Sequence, residues 1–426
     1  MIKHLLAGAA ALAMATAVDA ATYAIQAGHL IVDAAQPERG ASTVIVDAGR
    51  ITRIDNGFTS PSGAIVVDER SLTVMPGMTD VHVHLTGTSG VPWYQGFTQK
   101  YSVPYEATVG LTHALEMAQG GFTTVRDLGG DTSAIIAVRD AVVEGRFPGP
   151  RIKVAGGHAD PTTGLPPELA AAMDEAQLDP SVCTGPQECQ KVVRKLAAAG
   201  VDWIKIMATG GVLDPGTRGL EQHFTDEEMK AICDTAHFMG LKVAAHAHGA
   251  RGIDAAVRAG VDSIEHGTFI DDQGVKDMKV HGTYYVATLM AFSGVAAALG
   301  KGVMAPASEA KARLTLGVWG KGLNLAYRSG VKIALGTDSA VAPHTEANKE
   351  VALMVTKGGM SPRDALIAAT KGGPDLMNLS AETGTLDPGK SADLIAVEGD
   401  PLVDPAAVQR VGYVMVEGRP IPMKGQ

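Results

Sequence analysis

The 426-residue chain is poor in aromatic rings, with 8 Phe, 8 Tyr and 3 Trp. Cysteine is scarcer still, at three, and charged residues make up only 19%. Basic residues are the rarer charge, 36 against 46 acidic, for a formal net charge of −10. A surface of that sign repels phosphate and argues against a nucleic-acid partner. No run beyond the N-terminus approaches the ~18 apolar residues of a membrane span. Short repeats are missing, and with 46% hydrophobic residues the chain is neither disordered nor of low complexity. It is too long for one ordinary domain unless that domain is a large barrel. No Gly-x-Ser-x-Gly, His-Glu-x-x-His or Gly-x-Gly-x-x-Gly pattern occurs, so serine-esterase, zincin and dinucleotide-binding functions lose their support.

Residues 1–20 pair an early positive charge, Lys3, with an uncharged run from Leu5 to Val18. Val18 and Ala20 then stand at the −3 and −1 positions of a cleavage site, as in a secretory signal peptide. The expected location is therefore secreted or periplasmic, with no membrane attachment after cleavage. Such a compartment permits disulfides. Cys183 and Cys189 flank the turn residues Gly185 and Pro186 and are candidates for a local bridge. Cys233 lies in an apolar helical stretch and is most simply a core residue.

Eight strand-like runs alternate with helical stretches: 79–85, 123–128, 152–155, 203–208, 242–247, 263–266, 284–288 and 332–336. Of the helices, Asp226–Met239 is well marked, with Thr225 and Glu228 as a capping box and Gly240 as a stop. This alternation predicts an α/β fold, a (β/α)8 TIM barrel over 76–383. The flanks 21–75 and 384–426 alternate as strands, and neither has enough of them for its own core. They predict one small β-sandwich domain formed by both chain ends. Residues 384–391, Gly-Thr-Leu-Asp-Pro-Gly-Lys-Ser, match the phosphate-loop pattern letter for letter. Pro388 breaks the loop and a strand follows where a helix should open, so the segment is expected to be a turn.

Ligand-type residues gather at the ends of the barrel strands. His82 and His84 end the first, spaced i, i+2, and can share one ion. Lys205 sits in the apolar run Trp-Ile-Lys-Ile-Met at the end of the fourth. A buried ammonium there is costly unless paired or modified, and reaction with carbon dioxide would give a carbamate able to bridge two cations. His246 and His248 end the fifth strand, His266 the sixth and Asp338 the eighth. Barrel active sites form at these strand ends, so the set converges.

This set resembles the amidohydrolase superfamily. The split β-domain and its re-entry segment Gly384–Leu394 are also similar to that family, and the resemblance spans residues 22–422. Gly156-Gly157-His158-Ala159-Asp160, Lys205–Gly211 and His246-Ala247-His248-Gly249 are most similar to the secreted Xaa-Pro dipeptidase branch, which includes ochratoxinase-type carboxypeptidases. The resemblance implies two zinc ions. It assigns His82, His84 and Asp338 to the first ion and His246 and His266 to the second, with carbamylated Lys205 and a hydroxide bridging them. The choice of His246 over His248 rests on the resemblance, not on spacing. Asp338 is the implied proton shuttle and His158 a candidate oxyanion donor; His248 either supports the ligands or faces substrate. A homo-oligomer, up to an octamer, is also implied.

Five of the 19 aromatics, Trp93, Tyr94, Phe97, Tyr101 and Tyr105, fall within thirteen residues after the first strand. They suggest an apolar wall over the metals, or else an oligomer contact. Leu289, Met290 and Phe292, after the seventh strand, are expected to face the same mouth. Arg218 or Arg126 could hold the free carboxylate of a dipeptide-like substrate. Phe224 stands where the branch often carries tyrosine. The expected activity is carboxypeptidase-like hydrolysis of dipeptides or N-acyl amino acids, ochratoxin A among them. Two alternatives stay open: a one-metal deaminase or cyclic-amide hydrolase, and a non-catalytic periplasmic binding protein.

Overall fold

A computed structural model describes residues 21–91, 101–157, 159–160, 182–216 and 219–424. The expected signal peptide, and the candidate residues Trp93, Tyr94, Phe97, His158 and Arg218, lie outside the described residues.

The N-terminal flank supplies β1 (Tyr23–Leu30), β2 (Ser42–Asp47), β3 (Arg50–Asn56) and β4 (Ile65–Pro76). Among the described residues seven further strands follow in the barrel: β5 (Met78–Val83), β6 (Phe122–Asp127), β7 (Arg151–Val154), β8 (Trp203–Met207), β9 (Lys242–Ala247), β10 (Ser263–His266) and β11 (Tyr284–Val286). The C-terminal flank adds β12 (Leu394–Val397), β13 (Val411–Val416) and β14 (Arg419–Pro420).

Both chain ends do share one β unit. Its strand order is β14-β13-β12-β4-β1-β2-β3. The junction is β4, parallel to β1 along one edge and antiparallel to β12 along the other. The expected sandwich is corrected here: among the described residues these strands form one seven-stranded sheet, not two hydrogen-bonded sheets. The twelve residues of β4 are the reason, because one strand long enough to serve both ends lets a single ladder run through. The unit enters the barrel at Gly77, where a Cβ would lie 2.1 Å from Thr123 Oγ1, so only glycine passes. Arg151 of β7 adds ion pairs to Asp393 and Glu417 at 3.0 and 2.7 Å.

The barrel strands pair in parallel as β5-β6-β7 and β8-β9-β10-β11. Their residues are buried almost throughout, as expected for strands covered on both faces. Ala159 links the two groups, donating to Lys205 O and accepting from Met207 N. At the other end the run 332–336 departs from expectation. It makes one bridge, Ile333 to Tyr285, rather than a strand. Its Leu335 N–H turns outward to Ala368 O, while Leu335 O accepts Val81 N at 2.9 Å. Asp338 N then donates to His82 O at 2.7 Å, tying this segment to β5. The architecture is of the TIM-barrel type.

Helix Asp226–Phe238 has both halves of the predicted capping box. Cys183 and Cys189 form a disulfide with Cα atoms 5.0 Å apart, and Cys233 is buried. The segment 384–391 is a turn leading into β12, with Gly384 and Gly389 at φ 93° and 94°. No helix among the described residues is long and apolar enough to cross a membrane.

Candidate metal centre

The strand ends bring two ligand groups together. In one, His82, His84 and Asp338 each place a donor atom within 4.8 Å of the others; in the second, His246, His248 and His266 do the same. The groups adjoin, since the His82 and His266 ring centroids are 5.1 Å apart. Lys205, 2% exposed, has its Nζ 3.4 Å from His82 Nε2. The buried amine is therefore part of the centre and not a lysine reaching to solvent. His248, whose role the sequence leaves open, offers a nitrogen to the same group as His246 and His266.

Each histidine outside β9 is held by one ring nitrogen. His82 Nδ1 meets Glu265 Oε2 at 2.9 Å and His84 Nδ1 meets Gly129 O at 3.0 Å. His266 Nδ1 lies 2.7 Å from Thr288 Oγ1. In β9's exit, His248 Nδ1 lies 2.7 Å from Thr268 Oγ1. A carbonyl or carboxylate at Nδ1 fixes the proton there and turns the Nε2 lone pair toward the centre. His246 Nε2 is shut from solvent and has no hydrogen-bond partner. A buried imidazole nitrogen without a partner is costly in a metal-free protein and is resolved by a cation.

Electrostatics point the same way. Burial lowers His82 to about 4, with Lys205 adding to the fall, and lowers His248 to about 3. Burial and the neighbouring histidines push His246 and His266 well below the usual imidazole range. Neutral imidazoles are the form that binds metal. Burial would raise Asp338, but His82, His84 and Lys205 outweigh it and hold the carboxyl below its ordinary value. Lys205 falls to about 8, chiefly through burial, so a free amine is accessible near neutral pH. The donor set of imidazoles, a carboxylate and an amine suits zinc-type divalent ions.

Three of the seven described non-glycine residues at positive φ sit in or against the centre: His266 (71°), Thr288 (48°) and Asp338 (58°). Such conformations persist only where surrounding contacts impose them. Asp80 imposes part of this. Its Oδ1 accepts the His82 and Thr337 amides at 3.0 and 3.1 Å, and its Oδ2 accepts the Thr337 hydroxyl at 2.6 Å.

Two expectations about substrate contacts are corrected. Arg126 is fully buried and cannot reach a substrate carboxylate. It donates to Glu265 Oε1 at 2.8 Å and to Val81 O at 2.6 Å, and stacks 4.3 Å over the Trp203 ring. Leu289 and Met290 are 2% and 1% exposed and point into the core. The helix Leu289–Ala298 starts at these residues, and its i, i+3, i+4 face puts Ala291, Phe292 and Val295 on the cavity instead. That cavity measures about 780 Å³, with the two ligand groups and Lys205 in its wall. Tyr101, Tyr105 and Glu106 line it, as do the apolar Val212, Leu213 and Met304. Phe224 is buried and is not part of the lining.

Glu265, Asp80 and Thr337, which hold residues of the centre, are not singled out by the sequence. Glu265 carried a signal, a carboxylate inside a barrel strand next to His266. Thr337 and Asp80 flank ligands in sequence, but their mutual contact is 257 residues apart.

The fold and this centre define a metal-type hydrolase barrel, and the chain belongs to the amidohydrolase family, whose model matches residues 73–421. It is a hydrolase acting on amide bonds. Ochratoxinase of Aspergillus niger is 31% identical over 416 residues, covering 92% of this chain and 84% of that one. A Xaa-Pro dipeptidase solved with methionine bound in its active site is 35% identical, with a TM-score of 0.86 over 94% of this chain and 99% of that one. A prolidase complexed with N-methylphosphonate-L-proline is 28% identical, with a TM-score of 0.84 over 95% of this chain and 100% of that one.

Proposed function

We propose that the chain is a binuclear-metal amide hydrolase of carboxypeptidase type, releasing a C-terminal amino acid from dipeptides or N-acyl amino acids. One observation carries this: two adjoining ligand triads, with a buried lysine against one of them, in the wall of a partly apolar cavity. The relatives supply the substrate class, from Xaa-Pro dipeptides to ochratoxin A, whose cleavage would yield ochratoxin alpha and phenylalanine.

His82, His84 and Asp338 would hold one ion, and His246 and His266, with His248 alongside, the other. Lys205, as a carbamate, would lie between them. Bound there, divalent ions acidify water and polarise the scissile carbonyl. Asp338 takes the proton from the attacking water and delivers it to the leaving amine. Glu265 holds the His82 ring, and Thr288 the His266 ring, so that neither turns during the reaction. The apolar residues Phe292, Val295 and Met304 favour an apolar substrate side chain. We read the linked sheets as a closed (β/α)8 barrel, completed by segment 332–339. The expected leader and the disulfide support action outside the cytoplasm. The homo-oligomer is carried over from the resemblance.

The test is release of free amino acids from a panel of dipeptides and N-acyl amino acids, alongside metal analysis and a chelator control. About two ions per chain and release abolished by chelation are expected. One ion per chain with Lys205→Ala still active would favour the one-metal deaminase or cyclic-amidase alternative. Tight ligand binding without turnover across the panel would favour the binding protein.

A further inference from the structure

One buried carboxylate lies outside the ligand groups yet bears on both the centre and the cavity wall. Glu350, in helix Lys349–Thr356, is 1% exposed. Its Oε1 accepts the Leu289 N–H at 2.8 Å and its Oε2 the Met290 N–H at 2.6 Å. These are the first two amides of helix Leu289–Ala298. A threonine at the N-cap, here Thr288, ordinarily satisfies the second or third of a helix's free amides with its own hydroxyl. Thr288 makes no capping bond. Its Oγ1 is directed to His266 Nδ1 at 2.7 Å. Its φ of 48° is also strained for a β-branched residue and must be held by its surroundings.

We propose that Glu350 is a positioning residue: by capping this helix from 60 residues away it leaves Thr288 free to orient His266, and it fixes the cavity wall formed by Ala291, Phe292 and Val295. No cation among the described residues pairs with it. Its compensation is the two amides and the positive end of the helix. Burial pushes its carboxyl up to about 8 against those amides, with Asp80 adding to the rise. A single group thus couples ligand geometry to substrate fit. A shift of about 1 Å at such a support is enough to alter turnover ~100-fold.

The test compares wild type, Glu350→Gln, Thr288→Val and Glu228→Gln. The last is a control, because Glu228 also caps through two amides, Thr225 N and Gly185 N, but the helices that follow them supply no residue to the cavity wall. Three readouts are taken: metal retained after dialysis, thermal unfolding, and kcat and KM for dipeptides ending in Leu, Phe or Gly. An amide cannot accept both N–H groups without presenting its own N–H to one of them. Glu350→Gln is therefore expected to weaken metal retention by about 10-fold or more. It should also reduce preference for Phe and Leu over Gly by about tenfold, mainly through KM. Thr288→Val should lose metal but keep the preference, because the cap survives. Should Glu350→Gln not fold, Glu350→Asp is read in the same way.

The proposal is overturned if Glu350→Gln lowers stability without changing metal retention or preference beyond the Glu228→Gln control. It is also overturned if Thr288→Val retains metal like wild type. The preference arm rests on the amide-hydrolase reading above; the metal arm does not depend on the substrate. If wild type cleaves no dipeptide, that reading fails while metal retention still decides the role of Glu350.

Discussion

Glu265 Oε2 lies 2.9 Å from His82 Nδ1, and both side chains are shut from solvent. The other Glu265 oxygen is held by Arg126 and Ser263. Burial would raise this carboxyl, but Arg126, His82 and Lys205 outweigh it and bring it down to about 2. It is therefore an anion at any working pH, and an anion at Nδ1 keeps His82 in the tautomer that offers Nε2 to the centre.

Removing that anion should have two separable effects. Glu265→Gln leaves Arg126 buried without a counter-charge, a change that costs roughly 3–5 kcal/mol. It also frees the His82 ring, with a loss of about 10–100-fold in metal affinity or activity. Adding Arg126→Met should recover much of the stability and none of the activity. Urea unfolding and metal content measured on both variants check this. Activity that returns with stability would make the pair purely structural.

Lys205→Ala should leave at most one ion per chain and abolish amino-acid release, because it removes the group proposed to bridge the two ligand groups. Depleting carbon dioxide and bicarbonate during metal loading of the wild type should give the same deficit, reversed by adding bicarbonate. The burial-lowered amine makes this uptake accessible near neutral pH. Two retained ions in Lys205→Ala would refute the bridging role.

Asp338→Asn keeps the size of the side chain and removes its capacity to accept a proton. Turnover should fall by about 10²–10⁴-fold, mostly in kcat. Metal content has to be measured in parallel, since Asp338 Oδ1 also lies 3.1 Å from His84 Nε2 within the first ligand group. Near-wild-type kcat would remove Asp338 as the proton shuttle.

Asp33 links the N-terminal flank to the barrel through Lys371, at 2.8 and 3.0 Å. Partial burial raises its carboxyl, but Lys371 and the Ala35 amide outweigh that and lower it below the usual value. A depressed carboxyl stabilises the fold above its unfolded pKa and loses that contribution as pH falls through the folded value. The pair is partly solvated, so Asp33→Asn should cost only about 0.5–1 kcal/mol at pH 7. As the pH falls below the depressed folded-state value the variant and wild type should converge, because Asp33 is then neutral in both states. Urea unfolding at both pH values decides it; an undiminished difference in acid would mean the contribution is not ionic.

The candidate ligand residues could be picked out from sequence because strand periodicity is local. His82 and His84 alternate onto one face, and Lys205, His246, His266 and Asp338 each stand in or just after a strand-like run. Once the runs are taken as barrel strands, their ends converge. The capping box of Thr225 and Glu228 and the turn at Pro388 were legible for the same reason, since each depends on neighbours within a few residues.

Arg126 was not legible in this way. An arginine on a barrel strand can face substrate or a buried carboxylate, and only packing brings Glu265 to it across 139 residues. Leu289 and Met290 have the right composition for a cavity wall, but the helix phase, set where Glu350 caps it, turns them inward. The run 332–336 has strand-like residues, yet its ladder N–H at Leu335 is taken by Ala368. The long β4 similarly decided that the two chain ends share one sheet.

Sequence by itself determined which residues could form the centre, because side-chain chemistry and backbone period are properties of short segments. Tertiary structure decided how those residues are held: which nitrogen each imidazole presents, which charges are buried together and which face lines the cavity. Those outcomes depend on partners far apart in the chain, where burial makes every unpaired polar group expensive and so selects one arrangement.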